Sequence, residues 1–287
     1  MTASCKRLEV AGVSLALDDA GPAQAPVLLC LHAIGHDAGD FAHLARRLGD
    51  RYRVLALDWP GQGRSGADRE PASAARYQVL ARGVLDALGV REVVLIGNSI
   101  GGAAALRLAV SDATRVRGLV LANPGGLDGG WFARLVCRWM VRFFSAGARR
   151  ARWYPRWFAR YYRAVLSGQG PAATAVRDRI IADAYAVAPL LAQAWTGFAS
   201  PAADLRALPA QVACPTLLTW ATGDRFVQLG RAMAAIARFP HAELERFACG
   251  HAPQLELPDA FADRLERYLA ETLALQPGFG KPTGATG

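Results

Sequence analysis

The sequence predicts an α/β fold: a mostly parallel, doubly wound sheet interrupted once by a helical cap. Three observations predict it. Short, near-continuous apolar runs, as expected of strands buried on both faces, alternate with segments of helix length. The polar residues His32, Asp58, Ser99 and Asn123 each end such a run, where open α/β sheets bind their ligands. The alternation stops between 127 and 208, where the chain is helical and aromatic with no convincing strand, and then returns.

The elements follow in order. Leu8 to Leu17 alternates around Ala11-Gly12 and reads as a β-hairpin. Val27 to His32 is the first buried strand, with a helix from about Asp40 to Leu48 after it. Arg53 to Asp58 is the second, ending in the glycine-rich loop Trp59 to Gly66. A helix from about Tyr77 to Leu88, a strand from Val93 into Ser99 and a small-residue helix to about Val110 come next, then a strand from Val116 to Ala122. Beyond the insertion, Thr216–Ala221 and Glu243–Phe247 read as strands, Leu229–Phe239 as a helix, and Asp259–Leu275 as a terminal amphipathic helix. The expected organisation is a first core part at 1–126, a cap at 127–208, a second core part at 209–275 and a disordered tail at 276–287.

Composition bounds the class. At 287 residues, with 52% apolar and 20% charged residues, the chain suits a globular fold with a full core. No apolar run reaches membrane-spanning length, and the first residues lack a signal-peptide apolar region, so a cytoplasmic location is expected. The five cysteines are scattered and form no C-x-x-C pair, which suggests neither a disulfide framework nor a zinc site. The net charge of +9 invites a polyanion-binding reading, but its placement matters more than its total.

The chain is organised around Val93-Val94-Leu95-Ile96-Gly97-Asn98-Ser99-Ile100-Gly101-Gly102. A β-branched run ends in Gly-x-Ser-x-Gly and a small-residue helix begins at once, which is the setting of a nucleophile elbow. Such a turn exposes the serine oxygen, requires small neighbours, and aims the free N–H groups of the new helix at the site. A serine nucleophile needs a base, and the base an orienting carboxylate. Of the five histidines, His251 sits in a loop between the last strand and the terminal helix that can carry it over the sheet. His43 lies inside a helix and His241 follows Pro240 at a surface turn, so both read as structural. Asp224 follows the preceding strand at its carboxyl end, and Asp128 is the alternative acid after the strand before that.

The order Ser99, Asp224, His251, with Leu31-His32, Asp58-x-x-Gly61-x-Gly63-x-Ser65, Trp220-x-x-x-Asp224 and Gly250-His251-x-Pro253-x-x-Glu256-x-Pro258, resembles the α/β-hydrolase fold family over almost the whole chain. The resemblance implies Ser99 as nucleophile, His251 as general base and later acid, and Asp224 as its orienter. It implies the backbone amides of Ile100 and Ile34 as oxyanion donors, and no metal or organic cofactor. Gly97 to Gly102 and Asn123-Pro124-Gly125-Gly126-Leu127 are further similar to segments of carbon–carbon hydrolases that cleave ring-opened aromatic products. Those enzymes carry a longer glycine-rich oxyanion loop and a tryptophan after the histidine, where this chain has His32-Ala33 and Ala252.

The positive charge concentrates in the cap, where nine arginines and no acidic residue lie between Trp131 and Gln169. Three readings apply: amphipathic helices with aromatics packed over the site and arginines in solvent, a peripheral face for an anionic membrane surface, and polyanion binding, which no nucleic-acid motif supports. The expectation is a serine hydrolase of a carboxylic ester or related acyl substrate with an apolar portion, lined by His32, Trp131 and Trp139. The alternatives are hydrolysis of a carbon–carbon bond in a vinylogous keto acid, and a non-catalytic ligand-binding or accessory protein with the same fold.

Overall fold

The computed structural model describes residues 4–273, apart from the side chains of Phe132, Thr272 and Leu273. The tail expected at 276–287 lies outside the described residues. The chain opens with a hairpin, β1 (Ser4–Val10) and β2 (Val13–Ala20), turned by Ala11 and Gly12 at φ 48° and 80°. Both turn residues in the left-handed region match a two-residue loop to the twist of its strands.

Six further strands complete one sheet: β3 (Val27–Leu31), β4 (Arg53–Leu57), β5 (Val93–Asn98), β6 (Val116–Ala122), β7 (Thr216–Ala221) and β8 (Ala242–Phe247). Their order is β1-β2-β4-β3-β5-β6-β7-β8, antiparallel in the hairpin and its junction with β4 and parallel from there on. Every residue of β3, β4, β5 and β7 is buried, as their unbroken apolar runs require. Register explains why the polar residues gather. Leu31 pairs with both Leu57 and Gly97, so His32 and Asp58 leave the sheet level with Asn98 and one step from Ser99.

Alternate residues of each strand feed two cores. Leu29, Leu31, Leu55 and Leu95 face α2 (Ala74–Ala87) and α3 (Ile100–Ser111), whereas Leu28, Cys30, Val54 and Ile96 pack on α1 (Ala42–Leu48) and the terminal α10 (Pro258–Leu273). The helix expected from Asp40 is in part a 3-10 turn, Ala38–Phe41, capped by the Asp37 side chain. The one expected from Tyr77 starts at Ala74, because the Ser73 hydroxyl caps it by accepting from the Arg76 amide. The remaining core helices are α8 (Leu229–Ile236) and the single turn α9 (Pro253–Glu256).

Between β6 and β7 the chain holds α4 (Trp131–Ala148), α5 (Tyr154–Val165), α6 (Pro171–Ala182) and α7 (Ala184–Phe198), followed by two 3-10 turns. Phe144, Tyr154 and Phe158 are buried at their centre, with the Tyr154 and Phe158 rings stacked 5.3 Å apart. The outer face differs. Among the described residues, six of the eight exposed large apolar side chains are on this cap, and five of them, Trp131, Leu135, Trp139, Trp153 and Trp157, do not line the cavity beneath it, whereas Val136 does. No helix among the described residues is long and apolar enough to cross a membrane.

Candidate active site

Ser99 stands between β5 and α3 with φ 55° and ψ −116°. A non-glycine residue there stores about 1–3 kcal/mol of strain and persists only where its surroundings hold it. Here its N–H donates to Ala122 O at 3.0 Å, and its carbonyl accepts from Ala103 N at 2.9 Å and Gly125 N at 3.1 Å. The flanking glycines have no room for more. A Cβ on Gly101 would lie 2.2 Å from Leu31 O, and one on Gly97 2.5 Å from Gly101 O. The Gly-x-Ser-x-Gly spacing is thus a packing requirement of the turn.

His251 reaches the site from the loop between β8 and α9. Its Nδ1 lies 2.6 Å from Asp224 Oδ2, and both side chains are nearly sealed from solvent. Asn98, next to Ser99, donates to His251 O at 3.0 Å and to Ala122 O at 2.9 Å, tying the histidine loop to the elbow strand. The cap holds it too, through Val165 O, which accepts from His251 N at 2.8 Å. Glu256 is buried beneath this loop and accepts from Gly250 N at 3.0 Å, Ala252 N at 3.1 Å and Gly168 N. One carboxylate therefore fixes the amides on either side of His251 and the first residues after α5.

Asp224 is fully partnered. Oδ2 receives His251 and the Asn123 amide at 2.7 Å, while Oδ1 accepts from Phe226 N at 2.7 Å and Val227 N at 3.1 Å. Asn123 in turn accepts from Ala221 N at 2.8 Å, which sets its amide orientation. Burial pushes the Asp224 carboxyl up, but His251 and these donors outweigh it and hold it below its ordinary range. Burial likewise opposes charge on His251, yet Asp224, with smaller contributions from Glu256 and Asp128, raises its pKa above the ordinary 6.5. Of the two acids open from the sequence, Asp224 holds the histidine. Asp128 lines the cavity instead, its pKa raised by burial and by the Asp224 charge.

Ser99 and His251 share a cavity of about 280 Å³ between core and cap. Ile34 lines it as well, and no hydrogen bond among the described residues uses the amide of Ile34 or of Ile100. The loop bearing Ile34 is fixed from below. Gln62 Oε1 accepts from Gly35 N at 2.6 Å, and Asp58 Oδ1 from Ala38 N at 2.7 Å. No group of three or more His, Cys, Asp or Glu side chains among the described residues could hold a metal ion.

Three expected lining residues stand elsewhere. His32 has no exposure; its Nε2 accepts from Trp59 N at 3.0 Å and its Nδ1 donates to Ala33 O at 2.6 Å. With both ring nitrogens used it brackets the loop, and it is not among the residues lining the cavity that holds Ser99. Trp131 and Trp139 are 72% and 64% exposed on the outer stripe of α4. That helix turns Ala133, Arg134 and Cys137 toward the cavity, so the aromatic stripe faces out and an arginine faces in. The actual aromatic walls are Tyr161, Tyr162, Trp195, Phe198 and Phe226, from α5, α7 and the loop after β7. Alternation of Arg with Trp or Tyr along α5 marks two faces, but only packing against α7 decides which is inward. Asn123 was visible as a strand-end residue; its grip on Asp224, 101 positions away, was not.

The chain matches the model of the alpha/beta hydrolase family over residues 28–264. It is 30% identical to a 2-hydroxy-6-oxononadienedioate/2-hydroxy-6-oxononatrienedioate hydrolase of Comamonas testosteroni over 85% of this chain and 87% of that protein. It is 31% identical, at the same coverages, to a 2-hydroxy-6-oxo-6-phenylhexa-2,4-dienoate hydrolase of Burkholderia cepacia. A thermophilic esterase from Thermogutta terrifontis shares the fold with a TM-score of 0.80 at 22% identity, covering 94% of this chain and 99% of that one. With its eight-stranded sheet, its elbow serine and these matches, the chain belongs to the α/β hydrolase family.

Proposed function

We propose that this hydrolase cleaves a carbon–carbon bond in a vinylogous keto acid, with Ser99 as nucleophile. The observation that carries it is the cavity, in which Ser99 and His251 meet apolar walls and three arginines, Arg134, Arg225 and Arg231. Guanidinium groups suit a substrate carboxylate, and the aromatic walls suit its apolar end. The names of the relatives at 30% and 31% identity support the same class, which reverses the order of the two hydrolytic readings drawn from the sequence.

In this reading His251 takes the Ser99 proton as Oγ attacks the keto carbon, and the Ile34 and Ile100 amides receive the oxyanion. The carbon–carbon bond then breaks. Its electron pair needs a conjugated carbonyl to accept it, so the substrate reacts as its keto tautomer and leaves as a dienolate that takes up a proton. Water, activated by His251, releases the acyl group as a carboxylic acid. The test is incubation with 2-hydroxy-6-oxo-6-phenylhexa-2,4-dienoate. The wild type is expected to bleach the conjugated chromophore and release benzoate, and Ser99→Ala to lose at least about 10³-fold in rate. An intact dienoate beside turned-over p-nitrophenyl esters would overturn it.

That outcome would favour ester hydrolysis, the second reading, which Ala252 after the histidine and Ala33 in the oxyanion loop support. We also infer that the cap's outer face, where exposed tryptophans interleave with Arg138, Arg142, Arg156 and Arg160, meets an anionic lipid surface.

A further inference from the structure

The proposed chemistry leaves one buried polar chain unused. His36 follows the loop residue Ile34, and its Nδ1 lies 2.7 Å from Asp40 Oδ2, with side chains 1% and 0% exposed. Its Nε2 lies 2.8 Å from the hydroxyl of Tyr162 on α5. His36 and Tyr162 both line the cavity that holds Ser99. Sealing three polar groups between cap and core costs free energy that an apolar contact would avoid, and Asp40 Oδ1 is even left without a partner. The chain invites a role beyond closing the wall.

Its proton order follows from donor and acceptor capacity. With His36 a neutral imidazole, the Asp40 carboxylate accepts from Nδ1–H and Nε2 is left as the acceptor. The Tyr162 hydroxyl therefore donates its single hydrogen to His36. What remains for the cavity is a pair of oxygen lone pairs, an acceptor with no donor. Burial, aided by Tyr161 and Asp40, raises the Tyr162 pKa well above its ordinary value, so the phenol stays neutral.

We propose that Tyr162, oriented by His36 and Asp40, is a specificity subsite that accepts a hydrogen bond from a hydroxyl or enol O–H of the substrate. The inference rests on the function proposed above, since the enol of a 2-hydroxydienoate is such a donor. In that arrangement the arginines take the carboxylate and Tyr162 takes the hydroxyl. An acceptor-only oxygen discriminates by chemistry, because a substrate whose hydroxyl is capped offers it nothing and leaves it unpaired.

The test is equilibrium binding to the Ser99→Ala variant, which separates recognition from turnover. The ligands are 2-hydroxy-6-oxo-6-phenylhexa-2,4-dienoate and its 2-O-methyl ether. Ser99→Ala is expected to prefer the enol by roughly 10- to 100-fold. Adding Tyr162→Phe is expected to bring the ratio close to one while leaving the ether's affinity in place. Adding His36→Phe frees the Tyr162 hydrogen to face the cavity and is expected to shrink the ratio as well, which covers the case of a Tyr162→Phe protein that does not fold. An unchanged ratio, or both ligands weakened by one factor as a merely structural latch would produce, overturns the inference. If wild type cleaves the dienoate and the ratio is unchanged, only the subsite falls. If wild type neither binds nor cleaves it, the proposed function falls and the subsite with it.

Discussion

Replacing Glu256 by glutamine removes one charge and one acceptor from a side chain that serves three backbone donors. Oε2 accepts from Gly250 N and Gly168 N, and Oε1 from Ala252 N, in a site only 5% exposed. A glutamine has one acceptor oxygen, so whichever way it turns, its NH₂ faces at least one buried N–H. The loss is one charge-assisted hydrogen bond, about 1.5–3 kcal/mol, plus the penalty of an unsatisfied buried donor, about 1–3 kcal/mol. Taken together the change destabilises by about 3–4 kcal/mol. For a chain of this length each kcal/mol lowers Tm by about 2 °C, so thermal unfolding followed by circular dichroism should show a fall of about 6–8 °C. The pinned amides flank His251, so kcat on any substrate turned over through Ser99 should also drop, by about 10²-fold for a misplacement near 1 Å. A Tm within about 1 °C of wild type would refute the assignment of Glu256 as the fastening of the histidine loop.

Two further variants test the proton chemistry and the cap. His251 accepts a proton only when neutral, and Asp224 raises its pKa, so kcat/KM should rise with pH through a limb lying above 6.5. Asp224→Asn removes the charge that favours the imidazolium, so the limb should move to lower pH while kcat falls by about 10³–10⁴-fold; a limb that stays in place would uncouple the pair. Trp131→Ala with Trp139→Ala should leave KM for a small soluble substrate unchanged, because both rings face away from the cavity. The same double variant should lose co-sedimentation with phosphatidylglycerol vesicles, and equal binding before and after would remove the lipid-surface inference.

How far the sequence could be read depended on whether a residue's role is local. The elbow was legible because Gly97 and Gly101 answer to backbone atoms within a turn and one neighbouring strand, so their spacing cannot vary. The strand ends were legible because parallel register brings successive carboxyl ends level, and polar residues there have no core to serve. The approach of His251 to Asp224 was legible because Asp224 follows the carboxyl end of β7 and the loop after β8 carries His251 back over the sheet. The cavity walls were not. Whether Trp139 or Arg134 faces inward is decided by the rotation of α4 against α7, and nothing within α4 ranks the two stripes. Tyr162 meets His36 across 126 positions, and Asn123 meets Asp224 across 101, so neither pairing leaves a spacing to detect.

The division has a chemical consequence. In the proposed reading, the parts that attack a carbonyl sit at the carboxyl ends of the strands and in the loops just beyond them, where sheet register sets the level. In the same reading, the parts that choose the substrate are the cavity-lining residues of α4, α5 and α7, where helix rotation fixes them. A substitution that turns one cap helix can therefore exchange an arginine wall for an aromatic one while leaving Ser99, His251 and Asp224 in place. On these grounds identity concentrated in the core is expected to preserve the hydrolytic step, and the cap residues Arg134, Tyr161 and Tyr162 to set the bond that is cleaved.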